Sequence, residues 1–253
     1  MQIENVRAIV TGAARGIGHQ LALQLAGAGA IVAAGDLDEK GLEQLAAESE
    51  KLPGRVITRK LDVSQEPSVV EFVGEVGEQM DGVNTLVNNA GILRDGLLAK
   101  GESGWVRRLP TPQWQQVIDV NLTGPYLMAR EMAAGIIKRK LKEGVIVNIS
   151  SISSAGNPGQ SNYGASKAGL DACTRTWALE LAPHNIRVGG IAPGLIDTPM
   201  LRNISDEAKA NLIAGIPLGR VGTTYEIWLA VKFLIECDFF TGRVIGVDGG
   251  STF

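Results

Sequence analysis

The stretch "SNYGASKAGL", residues 161 to 170, holds two groups able to move a proton, the phenol of Tyr163 and the ammonium of Lys167. A spacing of four residues puts them on one face of a helix, a single turn apart. A phenol titrates near 10, too high for an efficient base at neutral pH, and an adjacent ammonium favours its phenolate. Such a pair suits hydride transfer to a ketone, after which the alkoxide must collect a proton, or the reverse oxidation of an alcohol. A lone helical lysine would be an ordinary solvated side chain, so the reading depends on what else accompanies the pair.

The first accompaniment is "TGAARGIG", where Gly12, Gly16, Ile17 and Gly18 lie between a strand-like run and the helical "HQLALQLAGAG". A turn with so little side-chain bulk lets a pyrophosphate approach backbone N–H groups at the positive end of a helix. The spacing is G-x-x-x-G-x-G and departs from the G-x-G-x-x-G fingerprint, so taken alone it also fits a merely tight turn. The next run, "IVAAGD", ends on Asp36, about 20 residues further on, where a carboxylate can bind the adenine ribose hydroxyls and would repel a 2′-phosphate. Asp36, followed by Asp38 and Glu39, therefore favours NAD(H). Arg15, inside the turn, is able to grip a phosphate and keeps NADP(H) open.

Elements that could position these groups recur along the chain. Short β-branched runs begin near residues 7, 30, 55, 83, 144, 186 and 243, with helical periodicity between them. This alternation predicts an α/β fold, a doubly wound Rossmann domain with a mostly parallel, seven-stranded sheet and helices on both faces. With no dividing linker, residues 1–253 read as a single NAD(P)-binding domain. Two segments, 94–112 and 194–216, stand outside the repeat and are expected to be substrate loops. A net charge of −3 argues against nucleic acid or a membrane surface as partner. The apolar "LAGAGAIVAAG" is too short and glycine-rich to span a bilayer, and no signal-peptide pattern opens the chain, so a cytoplasmic protein is expected. Cys173 and Cys237 have no metal-ligand spacing, no metal site is expected, and His19 and His184 read as structural.

"TGAARGIG", "LDV" at 61, "NNAG" at 88, "NLTG" at 121, "VNISS" at 147, "YGASK" at 163 and "IAPGLIDTPM" at 191 follow one another in the order of the short-chain dehydrogenase/reductases. The chain resembles that family throughout, ending with "FTGRVIGVDGG". It is most similar to 3-oxoacyl carrier-protein reductases and 3-oxoacyl-CoA reductases, which share phrases such as "NNAGILRDGLL" and "IPLGRVG". The resemblance implies Tyr163 as acid or base, Lys167 tuning it and holding the nicotinamide ribose, and a serine polarising the carbonyl. It also implies Asn121 at a helix bend, holding a water that connects Lys167 to solvent. Counting back from Tyr163 by the family's usual separation ends on Ser150; counting forward from Asn148 ends on Ser151. Adjacent strand residues face opposite ways, so only one can serve. Loops absorb deletions more readily than strands, which favours Ser151.

By the same resemblance, Asp62 and Val63 lie near the adenine, and Asn89, Ala90 and Gly91 line the next turn. Pro193 and Gly194 open a loop whose Ile196 and Thr198 meet the carboxamide and phosphate. The implied activity is NAD(H)-linked conversion between a secondary alcohol and a ketone, a 3-oxoacyl thioester foremost. Because the related reductases mostly use NADPH, Asp36 also admits a broad-scope NADH ketone reductase or a 3-hydroxyacyl-CoA dehydrogenase. A catalytically silent, dinucleotide-binding regulatory protein would show damage at the Tyr, Lys or Ser positions, and none is visible. A homotetramer is implied. Trp105, Arg107 and Arg108 in the first insertion could cover a substrate or meet an acidic acyl carrier protein, and the cluster Lys138, Arg139, Lys140 and Lys142 could attract such a carrier; loop packing and a solvated helix end are the plain alternatives.

Overall fold

Seven parallel strands pair in the order Arg55–Lys60, Ile31–Asp36, Arg7–Thr11, Thr85–Asn88, Gly144–Ile149, Ile186–Pro193 and Val244–Val247, and the site is assembled along their carboxyl ends. The computed structural model describes residues 1–102, 104–202 and 206–251. Strand β1 (Arg7–Thr11), α1 (Gly16–Gly27), β2 (Ile31–Asp36), α2 (Glu39–Ser49), β3 (Arg55–Lys60), α3 (Glu66–Gln79) and β4 (Thr85–Asn88) make the first half. An antiparallel ribbon follows, β5 (Ala99–Glu102) and β6 (Trp105–Arg108), and then α4 (Thr111–Ile118) and α5 (Gly124–Arg139). The second half comprises β7 (Gly144–Ile149), α6 (Ser161–Leu181), β8 (Ile186–Pro193), α7 (Pro199–Arg202), α8 (Asp206–Ala214), α9 (Thr224–Glu236) and β9 (Val244–Val247). All seven runs read from the sequence are the strands of this sheet.

Strand alternation explains the two cores. Ala8 and Val10 join Val145 and Val147 on one face, packed with Leu21 and Leu25 of α1 and Ile227 and Val231 of α9. Ile9, Leu86 and Ile146 point the other way, against Phe72 of α3 and Met128 and Met132 of α5. Both faces are covered, so the strands read as nearly continuous apolar runs. The chain reverses direction across the sheet between β1 and β4, and a crevice opens outside the carboxyl ends at that switch point.

The segments expected as loops carry structure of their own. Segment 94–112 contains the β5–β6 ribbon and the first turn of α4; segment 194–216 contains α7 and α8, and residues 103 and 203–205 lie outside the described residues. Exposed strands without a sheet to join leave little periodic signal, which is why the ribbon was not foreseen.

A buried polar chain fastens α6 to the sheet. Asn88 Nδ2 at the end of β4 donates to Asn148 Oδ1 on β7 at 2.9 Å, and Asn148 Nδ2 donates to Thr174 Oγ1 on α6 at 2.9 Å. Thr174 in turn donates to the Leu170 carbonyl at 2.9 Å. Asn148 and Thr174 are wholly buried, so removing the central amide strands partners that water cannot reach. Asn148→Ala is expected to lower stability by about 2–4 kcal/mol. Urea unfolding with an unchanged m-value checks this, and a change below about 0.5 kcal/mol would show the chain to be dispensable.

Candidate active site

At the end of β1 the glycine turn is packed backbone to backbone. Gly12 has φ +66° and Gly16 φ +61°, conformations that disfavour any side chain. A Cβ on Gly12 would lie 2.8 Å from the Ala90 Cα, and one on Gly18 would lie 2.2 Å from the Gly12 carbonyl oxygen. Thr11 Oγ1 accepts from Asn89 N and Ala90 N, both at 3.0 Å, while Asn89 Nδ2 donates to the carbonyls of Thr11 and Gly12. The turn after β1 and the turn after β4 thus form one rigid floor, with Gly91 exposed at its edge. Thr11 was absent from the sequence-derived set; a lone strand-end threonine carries no signal until β1 and β4 are paired.

Asp36 Oδ2 accepts from Ala14 N inside the glycine turn, and Oδ1 accepts from Asp38 N, both at 3.0 Å. The carboxylate is therefore fixed beside the turn with acceptor capacity to spare. Arg15 is exposed at the start of α1, and Ile17 packs on the first core. Asp62 follows β3 and turns back on its own loop, accepting from Ser64 N at 3.0 Å and Ser64 Oγ at 2.6 Å. Its neighbour Val63 is buried, and a Cβ on Gly124 would sit 2.9 Å from its side chain. At the β8 exit, Pro193 ends the strand and Gly194 packs within 2.7 Å, measured from a built Cβ, of Asp248. Ile196 is bridged to Gly222, and Thr198 faces Gly16 across the turn. His19, read as structural, touches the turn, with Nδ1 3.3 Å from the Ala14 carbonyl and Nε2 2.8 Å from Glu48.

The reactive groups converge at the first two turns of α6. Lys167 is buried; its Nζ donates to the Ile149 carbonyl at 2.7 Å and lies 5.6 Å from the centre of the Tyr163 ring. Burial pulls its pKa down to about 8, opposed by the charge of Asp171 one turn further on. The Ser151 side chain lies beside Tyr163, close enough to act on its acidity. Burial raises the Tyr163 pKa above its ordinary value, the Ser151 contact lowers it and the charge of Asp95 raises it further. Desolvation, rather than the expected depression by Lys167, governs the phenol in this arrangement.

The two serines are separated by the strand geometry. Ser151 starts a tight turn over 152–155 and accepts from Ser153 N at 3.1 Å with its hydroxyl on the Tyr163 side. Ser150 points inward, 3 % exposed, with Oγ 3.5 Å from the Lys167 carbonyl.

Asn121 sits wholly buried in a wide π-type turn over Asp119–Thr123, where α4 passes into α5. Its side chain accepts from Ile92 N at 2.8 Å and donates to Ile92 O at 3.0 Å and Ser166 Oγ at 3.4 Å. Ser166 Oγ donates to the Tyr163 carbonyl at 2.7 Å, so the small residue between tyrosine and lysine is itself a link. Three further amides missed in the sequence strap the rim. Asn162 donates to Arg94 O at 3.0 Å, Gln113 to Arg94 O at 2.8 Å, and Gln160 to both Asp95 oxygens at 3.3 Å. Gly96 N donates to Gly159 O at 2.8 Å. Amides flanking the tyrosine in "GQSNYG" were the only hint.

A glycine turn packed so closely that a Cβ on Gly12 or Gly18 would strike backbone, a strand-end carboxylate and a buried Tyr-Lys-Ser group define a dinucleotide-dependent oxidoreductase, and a backbone turn at a helix start fits a nicotinamide dinucleotide. Residues 12–252 match the family described as Enoyl-(Acyl carrier protein) reductase. The chain is 42% identical over 253 residues to 3-oxoacyl-(acyl-carrier-protein) reductase FabG of Thermotoga maritima, covering 99% of both. It is 38% identical over 247 residues to Nodulation protein G of Rhizobium sp., covering 96% of both. A solved short-chain type dehydrogenase/reductase from Mycobacterium marinum superposes with a TM-score of 0.91 at 31% identity, covering 99% of this chain and 97% of that one. The chain belongs to the short-chain dehydrogenase/reductase family and is an NAD(P)-dependent oxidoreductase.

The buried ammonium has a measurable thermodynamic signature. With Lys167 near 8 when folded and near 10.5 when unfolded, the unfolded chain holds more protons across that window, so stability rises with pH there. Below pH 8 the full penalty applies, on the order of 3 kcal/mol. Lys167→Met lacks it. The stability difference between parent and Lys167→Met is expected to move toward the parent by that order between pH 7 and about 10.5 in denaturant titrations; a constant difference would mean that Lys167 is not desolvated.

Proposed function

We propose that this enzyme reduces the keto group of a 3-oxoacyl thioester, with NADH as the preferred reductant. The convergence of Ser151 and Lys167 on Tyr163 carries the reading. Bound nicotinamide supplies the hydride. Ser151 and Tyr163 hold the carbonyl oxygen between two hydroxyls, and Tyr163 gives its proton to the forming alkoxide. Burial and the nearby Asp95 charge keep the phenol protonated, the state a reductase needs at the start of the cycle. Lys167 holds positive charge against that face and orients the nicotinamide ribose; Asn121 holds the turn behind it. Ser150 is a packing residue.

Asn89, Ala90 and Gly91 would flank the cofactor, Pro193, Gly194, Ile196 and Thr198 would close over its nicotinamide half, and Asp62 and Val63 would border the adenine. The similar reductases act, by their names, on 3-oxoacyl groups of an acyl carrier protein, which supports the substrate class. Whole-length coverage by one sheet supports a single domain over 1–253. Exposed Leu179 on α6, Tyr126 on α5 and Leu229 and Phe233 on α9 support a tetramer. Unpaired Cys173 and Cys237, and the absence among the described residues of any helix long and apolar enough to cross a membrane, support a cytoplasmic setting.

Two experiments test this. With acetoacetyl thioester and NADH, Tyr163→Phe and Ser151→Ala are expected to lose about 10²–10⁴ in kcat, while Ser150→Ala stays near the parent. Equal loss in both serine variants, or a fully active Tyr163→Phe, would sink the assignment; simple ketones, 3-hydroxyacyl-CoA oxidation and an enoyl thioester run in parallel decide between substrate classes. For the cofactor, kcat/KM for NADH is expected to exceed that for NADPH, and Asp36→Asn to reduce the ratio by about tenfold, roughly 1.4 kcal/mol of lost repulsion. An NADPH preference in the parent would overturn the role given to Asp36.

A further inference from the structure

The β5–β6 ribbon contributes no residue to either core. Leu98 is 72 % exposed and Trp105 54 %. A two-stranded ribbon standing in water is marginal by itself, so this much uncovered apolar surface is not explained by folding. Leu109 N donates to Leu98 O, Lys100 lies opposite Arg107, and Glu102 opposite Trp105. Opposite residues share a face and alternate residues change face, so Leu98, Lys100, Trp105, Arg107 and Leu109 lie on one side. Val106 and Arg108 lie on the other. Leu109 is the residue that meets Gly96, where a built Cβ would come within 2.9 Å of it, so the first side is continuous with the rim of the active site.

That rim is clamped to α6. Gly96 is bridged to Gln160, three residues before Tyr163, and Gln160 holds Asp95. From Gly96 to the Lys100–Arg107 rung is four residues, at most about 13 Å of chain. Arg107 and Arg108 are exposed and have no ion pair or hydrogen bond among the described residues, whereas Arg59, Arg130, Arg139 and Arg220 are each in an ion pair. A narrow strip with apolar side chains near the reaction centre and a guanidinium further out complements a slender, amide-bearing chain that ends in an anion.

We propose that this face of the ribbon binds the phosphopantetheine arm of the thioester substrate, with Trp105 and Leu98 against the arm and Arg107 on its phosphate. The inference rests on the 3-oxoacyl thioester reading above. Guanidinium and phosphate form a charge-assisted pair, and an indole face suits the amide-bearing chain. Arg108, on the opposite side of the same ribbon, is left out of the contact and serves as an internal control.

The test compares acetoacetyl-coenzyme A, acetoacetyl-pantetheine, which lacks the phosphate, acetoacetyl-N-acetylcysteamine, which lacks most of the arm, and an acetoacetyl carrier protein. Arg107→Ala is expected to raise KM for the coenzyme A and carrier-protein thioesters by about tenfold, with kcat little changed and the two truncated substrates unaffected. Arg108→Ala should change KM by less than about twofold, and Trp105→Ala should weaken the pantetheine substrate while sparing N-acetylcysteamine. Equal effects of Arg107→Ala and Arg108→Ala, or a loss confined to the carrier protein, would overturn the arm contact in favour of general attraction or protein docking. A parent active on every thioester, with Arg107→Ala unchanged on coenzyme A, defeats the strip alone; a parent active on none defeats the substrate reading and the strip with it.

Discussion

The site depends on α6 being held against the carboxyl ends of β4 and β7 by groups that water cannot replace. The chain from Asn88 through Asn148 to Thr174 crosses two strands and a helix inside the protein. Lys167 adds a second fastening from the same helix, through the Ile149 carbonyl. With the helix fixed in this way, Tyr163 can meet Ser151 only because β7 ends where it does, and Asn121 can reach Ile92 only because α4 widens into a π-type turn before α5.

Burying an ammonium costs far more than burying a methyl group, and the structure offsets that cost in part with backbone and carboxylate partners. Lys167 faces the Ile149 carbonyl and feels Asp171 from the next turn of its own helix, where one carboxylate oxygen of Asp171 is itself buried without a hydrogen-bond partner among the described residues. The phenol sits between opposing influences, with Ser151 favouring its charged form and burial and Asp95 disfavouring it. Asp95 reaches this field through the strap that Gln113, Gln160 and Asn162 close, so the rim of the crevice and the acidity of the phenol are parts of one arrangement. The ribbon grows from that same strap, so the insertion stands at the rim of the crevice without disturbing the sheet.

On the cofactor side the governing constraint is space. Gly12 and Gly18 let the turn after β1 lie against Ala90 and against itself, and Asp36 is held toward that turn by two backbone amides. A cradle formed from backbone can accept a pyrophosphate without a dedicated cation, and the discrimination proposed above at the ribose would then fall to Asp36 and Arg15.

The residue order by itself determined the seven strands, the glycine turn, the strand-end acid and the tyrosine-lysine pair, because each is a local pattern: β-branched runs, φ-permissive glycines, and a spacing of four on a helix. Counting along the chain left Ser150 and Ser151 one residue apart, and the segment 94–112 looked like a loop. Only the tertiary structure settled how these are placed. The extended chain leaving β7 turned Ser150 inward and set Ser151 beside Tyr163, and the pairing of 99–102 with 105–108 made a ribbon. Thr11, Asn148, Ser166 and the strap amides were illegible for the same physical reason. Their work is done by hydrogen bonds between elements distant in sequence, and by burial, which no local spacing encodes.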